Sequence, residues 1–473
     1  MIPKEGKAQE DAARRGYPTV SAPLCKTATP KKPELGKLQS FALFACSGSP
    51  VSSSSELDAR QEGHAKLDPD NGGRFPGSPP DMANGGLYLS CSSAFVVCAL
   101  AFLGVDGYFV DITYVASAVA NGAVCLDGSP PAYHLARGFG SGVNSWLVHF
   151  EVSCWRRLVQ QCDDLPGAQT HTVRIIQEDG KADCFLWNLK QHPRLQPRYC
   201  DGSSFTGDVE QVDPATKLHY RGARVWQAVM EDLLTKGMNK AHNALISGCS
   251  AGGLTSILHC DRFRDLFHED AKVKCLSDAG FFINEKDIAG VDYIAAFFND
   301  VIATHGSAEN LPSSCTSKLP PSMCFFPQNE VEQIDTPLFI LNAAYDSWQV
   351  RNILVPGVAD SHGNWHICKH NIDECPASQL QILQGFRDDF LKALEEQGTS
   401  STRGVFINSC FVHCQSELQE TWFASGSPML GNKTIADAVG DWFYDRSPFQ
   451  KIDCPYPCDS SCHNRIYEDS SEA

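Results

Sequence analysis

Apolar positions recur along this chain with two alternating periods. Between Arg221 and Lys236, the residues Val225, Trp226, Val229, Met230, Leu233 and Leu234 fall at the spacing of a helix with one buried face. Other stretches are short apolar runs of strand length: Ser145 to Phe150, Ala244 to Ser247, Val273 to Leu276 and Pro337 to Leu341. A helix-like run from Leu254 to Phe267 follows the second of these. From Phe109 onward the chain therefore alternates strands and helices, which predicts an α/β fold with a mostly parallel sheet flanked by helices.

The pattern does not extend to the start of the chain. Residues 1–81 are rich in Pro, Ser, Gly, Lys and Asp, include the run Ser52 to Ser55, and carry no sustained apolar period. Such a stretch buries too little apolar surface to offset the entropy of ordering it, and disorder is expected. Leu87 to Val105 is almost uncharged and ends at Val105-Asp106-Gly107, which suits a signal peptide's apolar core and cleavage site, yet it lies more than eighty residues in. A start at Met82 resolves the conflict. Residues 82–107 are then a signal peptide, 1–81 are not part of the mature protein, 108–467 form one catalytic domain, and 468–473 are a disordered tail. The competing reading is a signal anchor, for which the run is marginal against a span of about 20 residues.

Composition narrows the partners. Of 473 residues, 39 are Lys or Arg and 56 are Asp or Glu, a formal charge of −17, which argues against nucleic acid or an anionic membrane surface as partner. The 21 cysteines are too many for an ordinary cytosolic protein and are not arranged in paired zinc knuckles. Cys454, Cys458, Cys462 and His463 come closest to a metal pattern; a disulfide-stapled tail is the better reading, and no metal or other cofactor is expected. Asn432-Lys433-Thr434 is a glycosylation acceptor, consistent with secretion.

The candidate chemistry lies where the strand ending at Ser247 turns into a helix through Gly248-Cys249-Ser250-Ala251-Gly252-Gly253. A serine at the apex of a sharp, glycine-flanked strand-to-helix turn matches a nucleophile elbow, although the same letters describe a glycine-rich turn with a helix-capping serine. In the elbow reading Ser250 is the nucleophile, and the N–H of Ala251 is one donor to an oxyanion. A serine hydroxyl needs a histidine to take its proton and a carboxylate to orient that histidine, and in this topology both follow it on loops after strands. Asp346 lies just past the strand ending at Leu341, with Asp278 as the competing acid. His413 follows the apolar run that begins at Gly404, and His362, His366 and His370 compete with it. The cysteines on either side of His413 are placed to pin its loop.

Five segments in order resemble the plant pectin acetylesterases, secreted enzymes related to the Notum-type carboxylesterases of animals. They are Cys125 to Tyr133, Tyr199 to Asp208, Gly248 to Gly253, Tyr345 to Gln349 and His413 to Gln415. The resemblance runs from about Phe109 to about Tyr467. It implies an α/β-hydrolase-like fold with disulfide-stapled loops, and it implies Ser250, Asp346 and His413 as nucleophile, acid and base. It also implies hydrolysis of acetyl esters on the homogalacturonan of pectin in the cell wall, with acetylated pectin as partner and no stable membrane association. Deacylation of a longer acyl chain, as in the Notum-type enzymes, is the alternative; so is a catalytically dead product of a misread gene.

That last alternative has a specific origin. After His149-Phe150-Glu151 the family carries a Gly-Gly-Gly-Trp-Cys loop that supplies oxyanion donors, whereas this chain has Val152-Ser153-Cys154-Trp155-Arg156-Arg157. Codons permitted for Trp155 to Ala168, read one nucleotide later, give GGGWCNNVTTCLAR, the family's own sequence at this point, and Cys184 to Gln191 allows the family-like AFSGILSN. Residues from about Val152 to about Pro197 are therefore expected to be translated out of frame and to pack irregularly. On that reading Trp155 matches the family only by accident, and Arg156 and Arg157 are no sign of a basic path.

Overall fold

The computed structural model describes residues 111–150, the backbone of 172–177, and residues 200–398 and 400–467. The expected signal peptide, the residues before it, and most of the segment 152–197 lie outside them.

The apolar runs become the strands of one nine-stranded sheet. They are β1 (Ile112–Tyr114), β2 (Ala132–Ala136), β3 (Ser145–Phe150), β4 (Thr172–Gln177), β5 (Asn243–Cys249), β6 (Lys272–Asp278), β7 (Leu338–Ala343), β8 (Gly404–Asn408) and β9 (Gln450–Ile452), in the order β1-β2-β4-β3-β5-β6-β7-β8-β9. From β3 through β9 along the sheet every pair is parallel. β4 runs antiparallel to β3 and parallel to β2, and β1 runs antiparallel to β2.

β4 lies inside the segment expected to be irregular, yet over these six residues it is a strand bonded on both sides. Thr172, Val173, Ile175 and Ile176 are β-branched and suit a pleated surface whatever their coding origin.

Alternation along each central strand fills two cores. On β3, Trp146, Val148 and Phe150 face one side, joined by Ala244, Ile246, Val273, Cys275, Leu338 and Ile340 from its neighbours. Leu147 faces the other side with Leu245, Leu276, Phe339, Leu341 and Phe406. Helices α1 (Gly222–Thr235), α2 (Ala251–Leu258), α3 (Tyr293–His305) and α4 (Ala377–Glu395) contribute to the first core, and α5 (Ile435–Phe443) covers the second. A sheet buried on both faces explains why its strands read as continuous apolar runs. The helix expected from Leu254 to Phe267 begins earlier, at Ala251, and breaks at His259 before a short turn of helix, Cys260–Arg264.

Candidate active site

Parallel strands place the C-terminal ends of β5, β6, β7 and β8 along one edge of the sheet, and the predicted site residues all leave from that edge. At the end of β5, Ser250 has φ 57 and ψ −122, a backbone state that non-glycine residues seldom adopt. Its N–H donates to the Asp278 carbonyl at 2.9 Å, and its carbonyl receives the Leu254 N–H at 2.9 Å.

The glycines are required by close approach. A Cβ on Gly248 would lie 2.4 Å from the Gly252 backbone, and one on Gly252 would lie 2.1 Å from the Phe150 carbonyl oxygen. No side chain fits there, which separates this turn from an ordinary capped helix start. Ser250 makes no side-chain capping bond, so the capping-serine reading has no support. Ala251, the first residue of α2, has an N–H with no partner inside the helix, at the positive end of its dipole.

Asp346 leaves β7 and caps the turn Ser347–Gln349. Its Oδ1 accepts the N–H groups of Trp348 at 3.0 Å and Gln349 at 2.9 Å, while Oδ2 pairs with Nδ1 of His413 at 2.7 Å. A carboxylate on Nδ1 fixes the proton there and leaves the lone pair on Nε2. That Nε2 is buried and has no hydrogen-bond partner. The imidazole stacks on the Trp348 ring, with centroids 6.2 Å apart, and Trp348 packs edge-on against Phe282.

The competing candidates sit elsewhere. Asp278 is fully buried, and burial pushes its carboxyl up to about 6. Its Oδ2 accepts from Gln415 N–H at 2.8 Å, Ser416 N–H at 2.7 Å and the Ser416 hydroxyl at 2.6 Å. It thus grips the backbone beside the histidine, while Asp346 takes the imidazole. His362 pairs with the Ser361 hydroxyl, and Nδ1 of His370 with the His366 carbonyl, on the exposed connection before α4. The run Cys454, Cys458, Cys462 and His463 is no metal site: Cys454 bonds Cys458, Cys462 bonds Cys410, and His463 bonds the Gly426 carbonyl.

The loop after β8 is held residue by residue. His413 pairs with Asp346, Cys414 forms a disulfide to Cys249, the Gln415 side chain accepts from Asn408 at 2.6 Å, Ser416 meets Asp278, and Glu417 pairs with His149 at 3.1 Å. His149 is buried on β3 and also contacts the Ser247 hydroxyl at 2.8 Å. Neither the Asp278 grip nor the His149–Glu417 pair is marked by any local sequence pattern. Each joins residues more than a hundred positions apart. Every cysteine among the described residues is in one of seven disulfides.

The remaining oxyanion donors would come from the chain leaving β3. Phe150 pairs with Gly248, and its carbonyl abuts Gly252 in the elbow. Residues 151–171 and 178–199 lie outside the described residues.

The chain is similar to known proteins over most of its length. A family model described as Pectinacetylesterase matches residues 104–463. Pectin acetylesterase 7 of Arabidopsis thaliana is 49% identical over 390 residues, covering 80% of this chain and 98% of that protein. The mouse palmitoleoyl-protein carboxylesterase NOTUM is 24% identical over 380 residues, covering 72% of this chain and 69% of that protein. Among solved structures, the Wnt deacylase Notum from Drosophila superposes with a TM-score of 0.55 at 17% identity, over 75% of this chain and all of that one, a likeness of fold.

Proposed function

The chain belongs to the pectinacetylesterase family, and from that premise we propose that it hydrolyses acetyl esters on the homogalacturonan of pectin through Ser250, His413 and Asp346. The observation that carries the reading is the oriented imidazole. Nδ1 is fixed by Asp346, and Nε2 is buried, unpartnered and one residue from a disulfide to the elbow.

Nε2 takes the proton as the Ser250 oxygen bonds to the acetyl carbon, and the N–H of Ala251 faces the developing oxyanion. His413 then returns the proton to the departing sugar oxygen. Water, deprotonated by the same nitrogen, attacks the acetyl-serine; the Ser250 oxygen leaves and takes that proton back from Nε2, and acetate is released. Asp346 keeps the tautomer and stabilises the imidazolium.

The acetyl substrate is favoured over a longer acyl chain because identity to the acetylesterase is 49% and to the Notum protein 24%. Seven disulfides and the apolar run Leu87–Val105 support a secreted, cell-wall enzyme, with residues 82–107 as signal and 108–467 as catalytic domain. No helix among the described residues is long and apolar enough to cross a membrane. The frame reading of residues 152–197 belongs to this proposal, since those residues hold the place of the second oxyanion donors.

Acetate release from acetylated pectin tests it. Ser250→Ala is expected to lower the rate at least ~10³-fold without changing the fold; full activity in that variant would remove Ser250 as nucleophile.

A further inference from the structure

We propose that the Cys249–Cys414 disulfide positions the reacting groups, setting the reach between the Ser250 hydroxyl and Nε2 of His413. The inference rests on the assignment of Ser250 and His413 made above.

Each cysteine is the immediate chain neighbour of one reacting residue, and their Cα atoms are 5.6 Å apart. The bond therefore joins the nucleophile's turn to the base's loop by the shortest covalent route available. Both sulfurs lie in a small buried cluster with Ala279, Cys249 with no exposure and Cys414 at 8%. A bond so placed is held within the packed fold and is a standing constraint on both segments.

The backbone on the base side depends on it. Cys414 has φ 65, the left-handed region that a non-glycine residue occupies only where its surroundings hold it there. The disulfide holds its side chain, and the bonds from Gln415 and Ser416 to Asp278 hold the backbone that follows. The His413 side chain makes one hydrogen bond, Nδ1 to Asp346, which sets the ring's tilt and leaves Nε2 unbonded. The distance from Nε2 to the serine is therefore set by the elbow and loop, and this bond is the covalent bridge between them, beside the hydrogen bonds of Asp278.

A disulfide spanning 165 residues also stabilises the fold by restricting the unfolded chain. A purely structural role predicts a lower Tm and an unchanged kcat per folded molecule. Cys410–Cys462 supplies a matched control, because it anchors the same loop three residues before His413 without touching the elbow.

The test compares Cys249→Ala/Cys414→Ala with Cys410→Ala/Cys462→Ala, both with p-nitrophenyl acetate and by the rate at which a fluorophosphonate labels Ser250. Both variants should melt earlier. Only the first should lose kcat, by roughly 10- to 100-fold with KM within about twofold, and its labelling should slow in parallel. If kcat of the folded first variant stays within about twofold of wild type, or if both variants lose kcat alike, the proposal is overturned. Should the first variant not fold, kcat is followed during partial reduction of the wild-type protein with the bonds mapped by mass. Loss must then track opening of Cys249–Cys414 and not of Cys410–Cys462. Retained turnover in Ser250→Ala would instead overturn the nucleophile assignment.

Discussion

Glu330 shows how far burial alone can move a single residue. It is 1% exposed, Oε1 has no hydrogen-bond partner, and burial pushes its carboxyl up to about 8 from an ordinary 4.5, with Lys318 pulling weakly the other way. The sign follows from proton binding. Between those two values the folded state holds a proton that the unfolded state has lost, so stability is full below pH 4.5 and is lost as pH rises toward 8. Glu330→Gln removes the ionisation and should flatten that decline, leaving the variant more stable than wild type by roughly 2–5 kcal/mol above pH 8 and nearly equal to it at pH 4.5. Urea unfolding of both proteins at the two pH values measures the difference; an equal loss in each would show that Glu330 ionises without cost. The buried histidines do not confuse the comparison. Burial holds His259 down at about 3 and His305 at about 4, so their contribution is present above pH 6.5 and lost as pH falls below it, alike in both proteins, and it cancels when the two are compared at one pH.

At the scale of elements, catalytic geometry is made by holding one loop to several strand ends. Asp278 holds the most of it, since one carboxylate oxygen accepts three donors from Gln415 and Ser416 while its own carbonyl accepts the Ser250 N–H. Asp278→Asn keeps an acceptor and should leave kcat within a few-fold of wild type; Asp278→Ala strands buried donors, should cost about 3 kcal/mol or more, and should lower kcat at least ~10-fold. Paired unfolding and acetate-release measurements decide it, and equal behaviour of the two variants would deny the carboxylate this role. The contrast also marks what the sequence could reveal. The helix at Val225 to Leu234, the strands at Ser145 and Leu338, and the elbow were legible because each is written in a few neighbouring residues. Asp346 and His413 were legible once chain order was added. The grip of Asp278, the pairing of Cys414 with Cys249 and the placing of β4 between β2 and β3 were not. Each is decided by packing between distant segments, and no local period records it.

For the molecule as a whole, the sheet brings the exit of β3 to the elbow, through the Phe150–Gly248 register and the contact of Phe150 with Gly252. Glycines in a loop let backbone N–H groups approach an oxyanion, and the sequence Val152-Ser153-Cys154-Trp155-Arg156-Arg157 has none. A family model matched across residues 104–463 and 98% coverage of a relative 49% identical make a lost function a poor account of so local a departure. The frame error proposed above predicts such a departure, since the codons permitted for fourteen consecutive residues spell the glycine loop in the next frame. Transcripts sequenced across codons 145–205 are expected to encode that loop in place of Val152 to Pro197. The chain they encode should release acetate from pectin ~100-fold or more faster than the chain as written, the loss that missing oxyanion donors produce in comparable hydrolases. Transcripts that encode Val152 to Pro197 unchanged would end the frame argument, and equal rates for the two chains would show that Ala251 and the triad suffice.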